Sequence, residues 1–358
     1  MITLKINDRF KNRKIDFFND VTIDLKYDSV ADTFTLRYLY DPNNFEHKEF
    51  SCVGHYHLCT IEDNGEVIIT GVILSIEFED DNVQTMVVIS GYSLPGVLED
   101  CQMPVTDTDY PIQTEGLSLK QIADKSVKSF GLKIVIDPQV LVDMNSPYVK
   151  TEADNMQTIK SYLSELAIQK NIIITNDQYG RIVFTRAVNT RPIYNFERAL
   201  PITNAKLTFN GQGVHSHIWA IAQASIEGLN ASQSAPLRNP YCPIVFRPHV
   251  IRQTSGDSNN TDQVARTSRA KELRNLQLNL DLDRWVLAGK IVRPGKTITI
   301  INPWIYLFNK TEFFIEEVQL KVDAKQKTAK LKCVLPEVYT FENPKYIFSG
   351  INLHYPNA

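Results

Sequence analysis

The clearest local fold in the chain lies in residues 154–187, DNMQTIKSYLSELAIQKNIIITNDQYGRIVFTRA. Its first half places apolar residues at helical spacing on one face: Ile159, Tyr162, Leu163, Leu166 and Ala167. Asp154, followed three residues later by Gln157, is typical of a helix start, and Asn171 suits the helix end. Three isoleucines then lead into the turn-forming NDQYG and a second alternating run. The stretch therefore predicts one amphipathic helix followed by a β-hairpin.

The length of the chain, 358 residues, exceeds what one hydrophobic core usually serves. We therefore expect about two to four domains. The apolar fraction is 43% and the charged fraction 22%, which is typical of a protein that folds throughout. A formal net charge of -3 argues against a dedicated nucleic-acid binder, because such proteins draw affinity from Lys and Arg on phosphates.

Cysteine use and the first residues favour a protein that is made in the cytosol with reduced thiols. The five cysteines are widely spread and contain no CxxC pair, so neither a disulfide framework nor a zinc ribbon is predicted. The opening MITLKINDRF alternates like a strand and lacks the basic and apolar blocks of a signal peptide. No run approaches the ~20 apolar residues of a membrane span. We expect neither signal-directed export nor a membrane partner.

Residues 1–100 alternate apolar with polar residues, the period of half-buried antiparallel strands. Turns are predicted at Asp63-Asn64-Gly65 and at residues 79–82. Several short strands at this spacing indicate a barrel or a sandwich. We assign these residues to a first β-barrel.

Residues 101–190 change character and predict a compact α+β domain. Ser118 and Gln121 form a capping-box pattern before a helix that reaches Phe130. Gly131 suits the helix end, and a short strand at 132–136 follows. The helix and hairpin described first complete this domain.

From residue 191 the alternation returns and predicts a second β-barrel in two parts, 191–228 and 284–340. Residues 205–209 and 214–222, on either side of Gly211-Gln212-Gly213, predict a β-hairpin. Residues 229–283 are predicted to form an arm outside the barrel. The arm contains one strand, 244–251, and a helix, 262–278, and a tail follows at 341–358.

The order of strand, acidic turn, strand and Leu-Pro-x-Val occurs twice, over residues 73–97 and 315–338. Hairpins are common in antiparallel proteins, so chance similarity is the alternative to duplication. We interpret the echo as a duplicated β-barrel on either side of the inserted α+β domain.

Two groups of residues have spacings that need an explanation. His55, His57 and Cys59 sit at i, i+2 and i+4, which on a strand gives three metal-ligand side chains one face, and His215 and His217 repeat the spacing. Tetrahedral zinc draws ligands from more than one element, and alternation places any residue types on one face, so we assign no metal site. The basic run Arg266, Arg269, Lys271 and Arg274 is interpreted as a solvated helix face rather than a specific contact with an acidic partner.

The sequence contains no motif of a known catalytic centre. GxSxG, HExxH and a Walker loop do not occur, and Gly211-Gln212-Gly213 is too short to be a dinucleotide fingerprint. A carboxylate pair for glycoside hydrolysis is a matter of three-dimensional separation, so a hydrolase stays open as the alternative. We assign no catalytic, cofactor-binding or metal residues.

A series of short segments, in order, resembles the baseplate hub proteins of contractile phage tails, the Mu-type hub or late-control-D-like family. That family is similar to the amino-terminal part of type VI secretion spike proteins. The segments are Ser90-Gly91-Tyr92-Ser93-Leu94, Leu98-Glu99-Asp100-Cys101, Ser118-Leu119-Lys120-Gln121-Ile122-Ala123 with Phe130-Gly131-Leu132, 153–186, Gly211-Gln212-Gly213, Arg247-Pro248 and 265–270. The resemblance covers residues 85–340, while the first 80 residues carry little of it and the loop around Asn259 departs from it.

The resemblance implies a mainly β, α+β fold with two similar antiparallel β-barrels, an inserted helix-plus-hairpin domain and an extended arm. It implies a structural protein without enzymatic activity or cofactor, a homotrimeric ring of pseudo-sixfold symmetry that adapts the hexameric tail tube to the trimeric central spike and gives passage for DNA. The implied partners are further copies of the chain, the spike, tail tube or tube-initiator proteins and baseplate wedge proteins, all in the virion. The alternative is a tail-associated cell-wall hydrolase or a carbohydrate-binding β protein.

Overall fold

The computed structural model describes residues 2–7, 12–81, 83–103, 116–148, 157–188, 191–222, 233–253, 261–323 and 326–348. The chain divides into two compact units, Met1–Arg186 with Glu317–Ala329 and Ala187–Glu316 with Lys330–Ala358. Within the described ranges, no helix combines the length and the apolar content that a bilayer crossing requires.

The β part of the first unit is an antiparallel sheet. Its strands are β1 (Ile2–Asn7), β2 (Asn12–Ile15), β3 (Asp20–Lys26), β4 (Thr33–Leu39), β5 (Leu58–Asp63), β6 (Glu66–Asp80) and β7 (Thr85–Ser93), with α1 (Phe45–Phe50) between β4 and β5. They bond in the order β3-β4-β7-β6-β5-β1-β2. Buried and less buried residues alternate along β3 and β4, as the sequence predicts. Asn64 and Gly65, both with positive φ, form the predicted turn between β5 and β6.

The α+β part follows β7. Its elements are α2 (Val97–Asp100), α3 (Leu119–Lys128), β8 (Ile134–Ile136), α4 (Leu141–Asn145), α5 (Ile159–Gln169), β9 (Ile173–Asn176) and β10 (Ile182–Thr185). β10 lies between β9, its antiparallel hairpin partner, and β8, to which it is parallel. The five apolar residues predicted on one face of α5 are buried in a core that also contains Leu119, Ile122 and Phe184. The amphipathic helix, the hairpin and the capping box of Ser118 and Gln121 are confirmed.

The predicted start of α5 was wrong by one turn. Thr158 is the residue before the helix, and its side chain accepts a hydrogen bond from the Ser161 N–H. Asp154 lies outside the described residues, and Gln157 instead donates to Glu165 Oε1 at 2.6 Å. The short hydroxyl on an extended residue directly before Ile159 supplies the cap, so an earlier acidic residue is not needed.

The second unit is also built on a sheet. Its elements are β11 (Asn195–Phe196), β12 (Ile202–Phe209), β13 (His217–Ala222), β14 (Leu237–Arg238), β15 (Pro248–Gln253), α6 (Thr261–Leu273), β16 (Leu276–Leu282), β17 (Val286–Leu287), β18 (Lys290–Ile291), β19 (Thr297–Asn302), β20 (Leu307–Val322), β21 (Lys327–Val334) and α7 (Glu337–Thr340). Its main sheet has the order β12-β16-β21-β20-β19-β11. The distal residues of β20, 317–322, belong to the first unit and pair antiparallel with β3.

The predicted hairpin of residues 205–222 was wrong. β12 pairs antiparallel with β16, whereas β13 lies in a separate small sheet between β14 and β15. Gly211–Gly213 forms a tight 3-10 turn capped by the Asn210 side chain, which accepts from the Gln212 N–H. The turn sends the chain out of the main sheet instead of back along β12.

The predicted helix of residues 262–278 was too long. α6 ends at Leu273, and Leu276 already begins β16, in which every second residue is buried. The side chain of Asn275 donates to the Glu272 carbonyl oxygen and ends the helical ladder. The sequence Leu-Gln-Leu-Asn-Leu-Asp-Leu has the period of a strand, and this local period prevails over continuation of the helix.

The mainly β class and the helix-plus-hairpin segment are confirmed, but closed barrels are not observed among the described strands. Closure of a barrel requires that the first and last strands of a sheet pair with each other. Among the described strands, β2 ends the order of the first unit, and β11 and β12 end the order of the second. The sheets are open where the sequence predicts barrels.

The sequence echo corresponds to a repeated strand order. The order β3-β4-β7-β6-β5-β1 in the first unit parallels β12-β16-β21-β20-β19-β11 in the second. β6 and β20 are the long strands, 15 and 16 residues, and each enters a short turn that begins with an aspartate. The carboxylates of Asp81 and Asp323 accept backbone N–H groups from Gln84 and Gln326 in the same way. One difference is that β1 is antiparallel to β5, whereas β11 is parallel to β19.

Candidate assembly surface

The long strands β6 and β20 hold the same place in the two sheets but differ in what covers their distal ends. In β20, Val318 and Leu320 are 1% and 0% exposed, because 317–322 pairs with β3. In β6, pairing with β5 ends at Val72, so the described strands pair with 75–80 only through β7. Phe78 is 45% exposed as a result. The distal end of β6 is an open strand edge that carries apolar side chains.

β12 is the corresponding open edge of the second unit. It pairs with β16 along its length, and it is the last strand of the described order. Its counterpart β3 has strands on both sides and buries Val21, Ile23 and Leu25. In β12, Leu207 is only half-buried and Phe209 is 45% exposed. The same position in the repeated strand order therefore has a paired strand on both sides in the first unit. In the second unit it has a described paired strand on one side only.

A groove of about 540 Å³ runs beside the open edge of β12. Four of its lining residues are aromatic: Phe209, Trp304, Tyr306 and Phe348. Trp304 is 76% exposed, and the Arg198 guanidinium lies 4.4 Å from the centre of its ring. Contiguous exposed apolar surface of this kind is typical of interaction sites.

The two open edges differ in charge. The end of β6 carries Glu77, Glu79 and Asp80, whereas β12 carries Lys206 and no acidic residue. Glu79 is already engaged, since its Oε2 accepts from Arg37 Nη2 at 2.8 Å. Glu77 is exposed on the outer face of the strand. An acidic edge and a basic edge attract each other and disfavour pairing of like with like.

The residues with metal-ligand spacing in the first unit do not share a strand. β5 begins only at Leu58, and Tyr56 has a φ of 47°, so the chain turns between His55 and His57. Cys59 is buried within β5, while His55 Nε2 lies 3.2 Å from Cys52 Sγ. The common face that the spacing predicts does not form, because the strand period does not extend back to residue 55.

In the second unit, three ligand-type residues meet from separate elements. The Nδ1 atoms of His215 and His249 lie 2.7 and 3.1 Å from Glu272 Oε1, and the His215 backbone N–H donates to Oε2 at 2.9 Å. Two imidazoles and a carboxylate are a zinc-type donor set. In this structure the two imidazoles and the His215 N–H supply the buried Glu272 carboxylate with hydrogen bonds. The predicted partner of His215, His217, instead stacks on Trp219, and no local pattern could connect residues 57 positions apart.

The basic run on α6 is not a uniformly solvated face. Arg269 is 4% exposed, and its guanidinium donates to Asn343 Oδ1 at 2.8 Å. Arg274 Nε lies 3.1 Å from Glu316 Oε1, and its guanidinium lies 5.2 Å from the ring centre of Tyr339. The interpretation was wrong for Arg269, because α6 turns the face of Ala265 and Arg269 inward.

Two nucleophile-type side chains among the described residues lie beside a histidine. Cys52 contacts His55, and Ser216 Oγ lies 3.0 Å from His217 Nδ1. Neither pair borders the aromatic groove. Burial raises the pKa of the Cys59 thiol to about 12 and that of the Cys333 thiol as well, so both are poor nucleophiles at neutral pH.

Glu337, the first residue of α7, is expected to destabilise the fold at neutral pH. Burial raises the pKa of its carboxyl, and its Oε2 is buried without a hydrogen-bond partner. The folded state therefore binds this proton more tightly than the unfolded chain does. Its contribution to stability is fully present below the unfolded pKa, about 4.3, and is lost as the pH rises through the folded pKa.

Glu337→Gln should accordingly raise the free energy of unfolding at pH 7 by up to about 1 kcal/mol, and the gain should vanish near pH 4. Urea unfolding at the two pH values measures the difference, with exposed Glu312→Gln as the control. An equal effect at both pH values, or no effect at pH 7, would contradict the assignment.

The chain has the fold of known tail proteins. It superposes on the prophage MuSo2 43 kDa tail protein from Shewanella oneidensis with a TM-score of 0.81 and 19% identity, covering 94% of this chain and 99% of that one. The tail protein from Neisseria meningitidis MC58 gives 0.76 and 15%, covering 96% and 99%. The Escherichia coli c3393 protein, a type VI secretion component described as similar to bacteriophage T4 gp27 and gp5, gives 0.56 and 9%, covering 96% and 80%.

The resemblance to phage baseplate hubs drawn from the sequence is confirmed at the level of the fold. No protein-family model and no curated protein matches the sequence. At identities of this size, the comparisons establish the fold alone.

Proposed function

We propose that this protein is the structural hub of a contractile-tail baseplate, a homotrimeric ring that joins a hexameric tail tube to the trimeric central spike. The observation that carries the proposal is the repeated strand order of the two units. The fold shared with the Shewanella and Neisseria tail proteins over nearly the whole chain supports a role in a tail.

The repeat supplies the means to join a sixfold to a threefold partner. Three copies of a chain with two similar β modules present six similar modules around one axis. One face of such a ring meets the tail tube or its initiator proteins with sixfold order, and the other meets the spike with threefold order. In the ring each β module contributes its open sheet, and residues 101–190 and the arm lie outside these sheets, where baseplate wedge proteins are the expected partners.

The charge of the chain suits a ring through which DNA passes. The formal net charge is -3, so the chain has no excess of cations to hold phosphates in transit. We place the protein in the virion, at the tail baseplate, as a component without enzymatic activity.

Light scattering after gel filtration tests the proposal. The expected result is a particle of three times the chain mass that shows no activity against purified peptidoglycan. A monomer that degrades peptidoglycan, and loses this activity on replacement of one carboxylate, would instead establish the hydrolase alternative. A monomer without activity would also overturn the hub.

A further inference from the structure

We propose that successive copies of the chain are joined by a β-seam, in which residues 75–80 of β6 in one copy pair antiparallel with β12 of the next. This proposal rests on the proposed ring, and it names the contact that builds the ring. Both strands are open edges among the described residues, and both carry exposed apolar side chains.

The chain already contains one example of the proposed contact. β20 and β3 are the counterparts of β6 and β12 in the repeated strand order, and they pair antiparallel. In that pair Val318 lies opposite Leu25, and Leu320 opposite Ile23. The repeat therefore contains two pairs of counterparts, β6 with β20 and β3 with β12, and among the described residues β20 and β3 pair with each other. β6 and β12, each with one open edge, are the strands that a second such pair would need.

Alignment on the turn aspartates gives the residues of the seam. Val318 and Leu320 precede Asp323 by the same intervals as Ile76 and Phe78 precede Asp81. Ile76 and Phe78 lie opposite Ile89 and Val87 of β7, both buried, so they are on the core face of the sheet. They occupy the positions of fully buried residues, yet Phe78 is 45% exposed.

The core face of β12 offers a matching row. Ala205, Leu207 and Phe209 lie opposite the buried residues Leu280, Leu278 and Leu276 of β16. These three side chains face the core but are half-buried or exposed. In the seam they pack against Ile76 and Phe78, and removal of this apolar surface from water stabilises the contact. In the seam, the aromatic groove beside β12 lies along residues 75–80 of β6 from the neighbouring copy.

The charged residues on the outer faces of the two open edges favour a second copy of the chain as the binding partner. Glu77 projects from the outer face of β6, and Lys206 from the outer face of β12. In the formed pair Gln319, the counterpart of Glu77, also contacts a polar residue across the strands, since its Nε2 donates to Asp24 Oδ1 at 2.8 Å. Two β6 edges would place acidic residues together, so the seam joins unlike edges. A contact between unlike edges is heterologous, and it generates a closed ring when the rotation between copies closes.

Cysteine cross-linking of the full chain tests the seam. Phe78→Cys combined with Ala205→Cys should form disulfide-linked chains under mild oxidation, because the antiparallel register that places Glu77 opposite Lys206 also places Phe78 opposite Ala205, and opposed strand residues have the Cα separation that a disulfide needs. Leu207→Cys and Phe209→Cys, the next two positions on the same face of β12, replace Ala205→Cys to test the other registers. Each single variant and the unchanged chain should remain unlinked on a non-reducing gel.

Charge exchange gives a second readout. Glu77→Lys and Lys206→Glu should each raise the concentration at which the particle dissociates several-fold, and the double variant should recover the original value. A trimer that forms no cross-link in any register, and whose dissociation concentration is unchanged by both charge reversals, would overturn the seam. That result would leave the hub proposal standing. A chain that never forms a trimer would overturn both.

Discussion

Leu320→Asp is expected to unfold the chain, whereas Phe78→Asp should leave it folded and monomeric. The two residues hold the same position in the repeated strands β20 and β6, but Leu320 is 0% exposed and Phe78 is 45% exposed. An unpaired carboxylate buried at Leu320 should cost more than about 4 kcal/mol, which approaches the stability of many domains. At Phe78 the carboxylate remains in water, so the loss is confined to the contact between copies.

Circular dichroism and light scattering separate the two results. For Leu320→Asp we expect loss of the folded spectrum at room temperature or a steep fall in Tm. For Phe78→Asp we expect a native spectrum, a Tm lowered by only a few degrees, and the mass of a single chain. Val83→Asp, at a 90% exposed residue beside the same turn, is the matched control and should be folded and trimeric. A trimer in Phe78→Asp would contradict the assignment of this edge.

Phe184→Ala is expected to destabilise the first unit by about 3–5 kcal/mol, the usual cost of a large cavity in a core. Phe184 is 0% exposed on β10, the central strand of its small sheet. It packs in the same cluster as Ile159 and Leu163 of α5 and Ile122 of α3. Loss of the ring removes contacts that hold helix and hairpin together.

Urea unfolding followed by circular dichroism measures this change. Ile168→Ala, on the exposed side of α5 at 57% exposure, is the control and should cost less than about 1 kcal/mol. Equal costs for the two variants would contradict the assignment of Phe184 to the core.

The sequence predicted the local elements of the chain better than its long-range pairing. The helix and hairpin of residues 154–187 follow from side-chain period and turn residues, which act between neighbours. The hairpin predicted at 205–222 failed because β12 finds its partner in β16, more than sixty residues away, and no local pattern encodes that choice. The end of α6 was misplaced because Leu276 fits both a helix face and the alternating strand that begins there.

The candidate surface was predictable only in part. The echo of residues 73–97 and 315–338 pointed to the two long strands, and the strand order of the two units extends that echo. The distal end of β20 has a second neighbour, β3, whereas the distal end of β6 pairs only with β7 among the described strands. This difference depends on the folded chain and has no local sequence signal. The cluster of His215, His249 and Glu272 was missed for the same reason, since its members come from β15, α6 and the connection before β13.

Electron microscopy of the purified protein, viewed along the particle axis, tests the central claim most directly. We expect rings with threefold symmetry and six similar lobes around an open channel. A particle of any other symmetry, or a threefold ring with three lobes in place of six, would contradict the use of the internal repeat as a bridge between sixfold and threefold partners.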